Sequence, residues 1–223
     1  MVGYLSIKHV CFIDIMPRKK QSKSIDSKVI SRIYGNGKGY VFTPRDFSDL
    51  GTLSAIDKAL SRNCRAGTIR KLARGLYDYP RRDPKLGLLA PSTDSVANAL
   101  KDRDSTRIQP SGAHAAKLLG LSEQVPVRAV YLTDGRSRKV QLGRRQIILK
   151  HTTPRNMATA GRISGTVIQA LRWLRRPHVD DKTIGTLRRK LSDKDKQQLI
   201  NDLQYAPAWI ADILRKVAAP AGK

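Results

Sequence analysis

Ile25, Val29, Ile30 and Ile33 recur at helical spacing between Ser24 and Tyr34, and Gly35 stands where the helix they predict would end. GNGKG then reads as a turn leading into a short strand over Tyr40–Phe42. It is not a phosphate-binding loop, because its lysine is followed by Gly39 instead of Ser or Thr and its glycines are wrongly spaced. Thr43 and Pro44 suit the N-cap and first position of a second helix carrying Phe47 and Leu50. After Gly51, the stripe Leu53, Ile56, Ala59 and Leu60 predicts a third helix, which Gly67 ends. Its opposite face carries Ser54, Asp57, Lys58, Ser61, Arg62 and Arg65. Ile69–Leu72 and Leu76–Tyr79 follow as two strands turning at Arg74-Gly75, with Pro80 and RRDP closing the unit.

The pattern changes near Leu86. Pro91 to Leu100 predicts a capped helix with Val96, Ala97 and Leu100 inward, and Ser111 caps another whose Leu118 and Leu119 precede Gly120. Val127, Ala129, Tyr131 and Thr133 alternate with Arg128, Val130 and Leu132 as a strand apolar on both faces. Asp134-Gly135 is a two-residue hairpin signal leading into a basic strand near Lys139–Leu142, with a third strand near Gln146–Lys150. The last third is helical. Ile163, Val167, Ala170, Leu171 and Leu174 form one stripe that Pro177 stops; Thr183–Leu191 and Ser192–Tyr205 are two further helices; Trp209, Ile210, Ile213, Leu214 and Val217 form a final apolar face.

These elements predict an α+β chain. An N-terminal winged helix-turn-helix over 23–85 precedes an antiparallel-sheet part with two packed helices over 86–153, and a helical part covers 154–223. Residues 1–22 are expected to be a basic, disordered segment. Within it, Met16 opens MPRKKQSKS as a natural basic start, and a Tyr4-containing peptide from the native protein would refute that start site. In a winged helix-turn-helix the third helix enters the major groove while the wing meets the backbone beside it.

Charge sharpens this picture. The chain has 43 Lys and Arg against 18 Asp and Glu, a net of +25, which favours a polyanionic partner. The surplus is +11 over 1–85, +6 over 86–152 and +8 over 153–223, so it is not confined to one arm. Catalysis finds little support. Glu123 is the lone glutamate, and the aspartates, including those of KDRD (101–104) and Asp180-Asp181, fall at caps, turns and helix starts. Ser111 and His114 in SGAH lack a nucleophile elbow. Cys11 and Cys64 are too few for a disulfide framework, and His9, His114, His151 and His178 lack metal-site spacing, so no cofactor or metal is expected. The first fifteen residues lack the pattern of a signal peptide, and no apolar run is long enough for a membrane helix. The expected setting is cytoplasmic.

TIRKLARGLYDYP (68–80) and IQPSGAHAAKLLGLSEQVPVRAVYLTDGRSRKVQLGRRQIILKHT (108–152) resemble the AbiEi-like antitoxins and the related DUF6088 family, over about Ser24 to Thr153. The resemblance implies an antitoxin and autorepressor without catalysis of its own. Its partners would be promoter repeats of double-stranded DNA and a nucleotidyltransferase-like toxin, countered often without a stable complex.

For DNA binding, Lys58, Ser61 and Arg62 are expected at base edges, with Ser54 and Asp57 nearer the helix start and Arg65 on the same face. Arg70, Lys71 and Arg74 on the wing, with Thr43 and Arg45, are expected at phosphates. Two other readings stand beside this one. An RNA-binding module would also suit the spread charge, although aromatics make up only 5% of residues. A neutraliser that binds the toxin directly through its helical tail is the third.

Overall fold

The computed structural model describes residues 24–219. The expected basic segment 1–22 and the Met16 start lie outside them. α1 (Ile25–Gly35) is capped by Ser24, whose hydroxyl accepts from the Ser27 N–H, and it buries Val29 and Ile33. β1 (Val41–Phe42) follows. The expected second helix is only a 3-10 turn, Pro44–Phe47. Asp46 reaches back to the Thr43 N–H at 2.7 Å, and both Asp49 carboxylate oxygens are held by Arg32 at 2.6 Å. Gly51 packs closely against the Ile25 side chain of α1.

α2 (Leu53–Arg65) starts on Thr52, whose hydroxyl accepts from the Ala55 N–H, and buries Ile56, Ala59 and Leu60. Leu53, expected in the same stripe, is 57% exposed because it opens the helix ahead of the packed turns. β2 (Arg70–Ala73) and β3 (Leu76–Asp78) form the hairpin, bulged between Lys71 and Ala73, and β1 joins as the third antiparallel strand in the order β1-β3-β2. A second small hairpin, β4 (Arg82–Asp83) with β5 (Gly87–Leu88), occupies the segment expected merely to close the unit. Its turn forms because the Asp83 carboxylate accepts from the N–H groups of Lys85 and Leu86.

α3 (Thr93–Asp104) is capped by Ser92 and buries Val96, Ala97, Ala99 and Leu100. β6 (Ile108–Ser111) leads into α4 (Gly112–Leu118), and Ser111 makes no cap bond; its hydroxyl faces Gln169. β7 (Arg128–Thr133), β8 (Arg138–Leu142) and β9 (Arg145–His151) complete a four-stranded sheet in the order β6-β7-β9-β8. That sheet is mixed, not antiparallel. β7 and β9 run parallel, and β8 pairs with β9 on the outer edge. The Asp134-Gly135 hairpin does not form, because the Asp134 carboxylate is taken by the Arg107 N–H and guanidinium at 2.9 and 2.8 Å. The chain therefore crosses over before β8, and the tight turn is made at Gly143-Arg144, between the paired Leu142 and Arg145.

α5 (Pro154–Met157) leads to α6 (Ile163–Leu174), which is buried continuously from Ser164 to Leu171. α7 (Asp181–Lys190), α8 (Asp193–Asn201) and α9 (Ala208–Ala218) wrap it. Ser192 and Asp195 form the expected capping box, but the helix begun there ends at Asn201, ahead of a separate 3-10 turn. Asp202, 2% exposed, ties these helices together by accepting from Arg162, Ser164 and Gln198.

Three apolar cores result. One holds α1, α2 and the inner face of the first sheet, with Phe42, Phe47 and Tyr77. A second joins Val41, Leu72 and Leu76 to α3 and the four-stranded sheet, drawing on both sides of the expected boundary at 85. A third surrounds α6 and includes Ala115, Ala116 and Leu119 from before residue 154. Among the described residues no helix is long and apolar enough to cross a membrane.

Candidate nucleic-acid interface

The β2–β3 hairpin is gripped from both sides, Tyr77 by the first core and Leu76 by the second. Its tip is consequently placed against the start of α2. Between them lies an open cleft of about 460 Å³, lined by Arg45, Leu53, Asp57, Lys71, Arg74 and Tyr77 among others. Gly75 makes the turn with φ of 66°, a left-handed conformation that glycine adopts without a Cβ penalty.

The cleft brings Thr43, Arg45, Asp57, Lys71 and Arg74 of the expected site together. Ser54, Lys58, Ser61, Arg62 and Arg65 are exposed on the outer face of α2 beside it. Among the described residues Lys58, Lys71 and Arg74 make no ion pair within 4.0 Å, which leaves their charges for a ligand. The Tyr77 phenol is pushed above its ordinary range first by burial and then by the nearby Asp57 carboxylate.

Two expected contacts are corrected. Thr43 is fully buried, and its backbone N–H and hydroxyl both face Asp46, so it closes a turn instead of meeting phosphate. Arg70 points away from the cleft and forms a two-pronged pair with Asp78 at 3.0 and 2.6 Å while also donating to the Leu89 carbonyl. Asp78 is 1% exposed, and its hydrogen bond holds the Arg70 guanidinium above its ordinary pKa. Arg62 is exposed but leans on Asp26 at 3.0 Å, a surface pair of small net worth that a stronger anion can displace.

Arg103 also lines the cleft, and its backbone carbonyl accepts from the Arg45 guanidinium. It is not among the expected site residues, and the packing of α3 against β1 brings it here.

A second polar cluster lies elsewhere. Tyr131 donates to Asp94 at 2.7 Å, and His114 Nε2 lies 2.8 Å from the Tyr131 hydroxyl and 3.0 Å from Asp94. The His114 bond holds the Asp94 carboxyl below its ordinary range, with the Tyr131 bond adding to the effect and burial opposing it. Burial and the Asp94 charge push Tyr131 upward. The triangle pins α3, α4 and β7 to one another, with His114 only 5% exposed. Among the described residues no group of three His, Cys, Asp or Glu side chains is placed to hold a metal.

A family model, described as a family of unknown function (DUF6088), matches residues 28–199. No curated protein matches the chain. Among solved structures, the crystal structure of the RV2827C protein from Mycobacterium tuberculosis is similar with a TM-score of 0.44 and 16% identity, covering 87% of this chain and 76% of that one.

Proposed function

The chain belongs to the DUF6088 family, and from that premise we propose that it is a double-stranded-DNA-binding antitoxin that represses its own operon. Residues 23–85 would act as the winged helix-turn-helix, with α2 as the recognition helix and β2–β3 as the wing. The observation that carries the DNA reading is the cleft in which the start of α2 meets the unpaired Lys71 and Arg74 of the hairpin. A helix of 13 residues with a polar, exposed outer face fits a major groove, and cations beside it fit the adjoining backbone.

Lys58 and Ser61 would read base edges, and Asp57 would accept from a cytosine amino group. Arg45, Lys71 and Arg74 would hold phosphates, while Arg70 keeps the hairpin in shape. The antitoxin part rests on the resemblance to AbiEi-like proteins, which also supplies the nucleotidyltransferase-like toxin as the element countered.

Fluorescence anisotropy with the chain's own promoter duplex, a scrambled duplex and tRNA as competitor tests the DNA part. Promoter DNA should win, and preferential binding to tRNA would favour the RNA-binding reading. Lys58→Ala should lower promoter preference by about 1–3 kcal/mol. Co-expression with the neighbouring gene product tests the antitoxin part; growth arrest that this chain does not relieve would overturn it.

A further inference from the structure

The cleft at the wing tip is continued by a second one. Arg74, Gly75 and Arg103 line both, and the second, of about 660 Å³, runs on between the hairpin and the outer strand β8 of the mixed sheet. Resting on the DNA-binding reading, we propose that the duplex track does not end at the wing. The DNA backbone continues across it into this second cleft, where Arg103, Arg138 and Lys139 hold phosphates flanking the recognised sequence.

The argument begins with charge. Four cations line the second cleft, Arg74, Arg103, Arg138 and Lys139, against the single carboxylate of Asp104. Asp104 is engaged on both oxygens, by Arg103 Nε at 3.0 Å and by Arg138 Nη1 at 3.2 Å. One carboxylate thus pairs with two guanidiniums, and the residues lining the cleft keep a surplus of positive charge. Packing like charges together raises the energy of the free protein, and a polyanion relieves it.

Geometry supplies the second step. β8 is an edge strand, paired on one side with β9 and packed on the other near β2 of the wing. Lys139 is exposed on this edge. The two clefts adjoin, sharing Arg74, Gly75 and Arg103, so their cations form one contiguous set. Cations spread over two adjoining clefts match an extended polyanion better than a compact anion. Duplex DNA presents about one charge per 1.7 Å of its axis, enough to occupy both clefts at once.

Nested duplexes trimmed from each end of the promoter site test this by anisotropy titration across salt. On duplexes extending past the wing, the Arg138→Ala/Lys139→Ala variant should lower the salt slope by about two contacts. Between 50 and 200 mM salt the wild type should then lose about tenfold more affinity than the variant. On duplexes ending at the wing the two proteins should behave alike, while Arg74→Ala weakens binding to both lengths. Because Arg138 shares Asp104 with Arg103, Lys139→Ala alone provides a variant that breaks no ion pair, and it should lower the slope by about one. If the long-duplex slope is unchanged in both variants while Arg74→Ala still weakens binding, DNA binding stands and the track ends at the wing. If the wild type binds no promoter duplex of either length, the DNA reading itself fails and this extension fails with it.

Discussion

Arg70 and Arg74 belong to the same hairpin, and their surroundings give them different tasks. Arg70 neutralises Asp78, which is 1% exposed, so removing it leaves a carboxylate buried without its partner. Arg70→Ala should therefore cost about 3 kcal/mol of stability, read as a lower urea or thermal midpoint. Arg74 is exposed at the tip, and Arg74→Ala should leave stability within about 0.5 kcal/mol of wild type while weakening binding to every duplex and lowering the salt slope by about one. Asp94 offers a test by pH. Its folded pKa lies below the unfolded one, so its contribution is present above the unfolded value of about 3.9 and is lost as pH falls through the folded value. Urea midpoints of wild type and Asp94→Asn should differ at pH 6 and draw together as pH falls below the unfolded value. A gap that persists at the lowest pH would show that the carboxylate's charge is not what matters.

At the scale of elements, most helices and the β2–β3 hairpin were legible because their signals are local. Apolar spacing, the Ser192–Asp195 capping box, and Arg74-Gly75 as a turn all act within a few residues. The mixed sheet was not legible. Asp134-Gly135 carries a strong hairpin signal, yet Arg107, distant in sequence, claims the aspartate, and β7 gains a parallel neighbour in β9 instead. α6 shows a similar dependence on its surroundings. A Cβ added to Gly165 would lie 2.5 Å from the Thr159 carbonyl oxygen and would collide with the Gln109 side chain of β6. Gly165→Ala should consequently push α6 off the sheet and cost about 2–3 kcal/mol, measurable as a fall in melting temperature.

For the whole molecule, the wing shares a core with the part that follows it. Val41, Leu72 and Leu76 pack with α3 and the four-stranded sheet, so a fragment ending at residue 85 would expose apolar surface that the longer chain buries. Fragment 24–85 should show weakened helical circular dichroism and concentration-dependent association, whereas 24–219 should melt cooperatively. A monomeric fragment melting as sharply as the longer chain would refute the shared core as a stabilising unit. The same packing explains why the candidate site was only half readable. Lys58, Lys71 and Arg74 announce themselves by position on a helix face and a turn. Arg103 reaches the cleft only because α3 lies across β1, and Thr43 lines it without a free hydroxyl because it is buried and turned to Asp46.

What the sequence by itself determined is what depends on near neighbours: most of the helical stripes, the Ser192 capping box, the wing turn, the positive surplus and the resemblance to the family. Tertiary structure alone decided which strands pair, which arginines are consumed by buried carboxylates, and which cations line the clefts beside the hairpin. The physical reason is that exposure and charge pairing are settled by contacts between residues far apart in the chain. Arg70 and Arg74 look equivalent as letters, but one is spent on Asp78 and the other remains free at the tip.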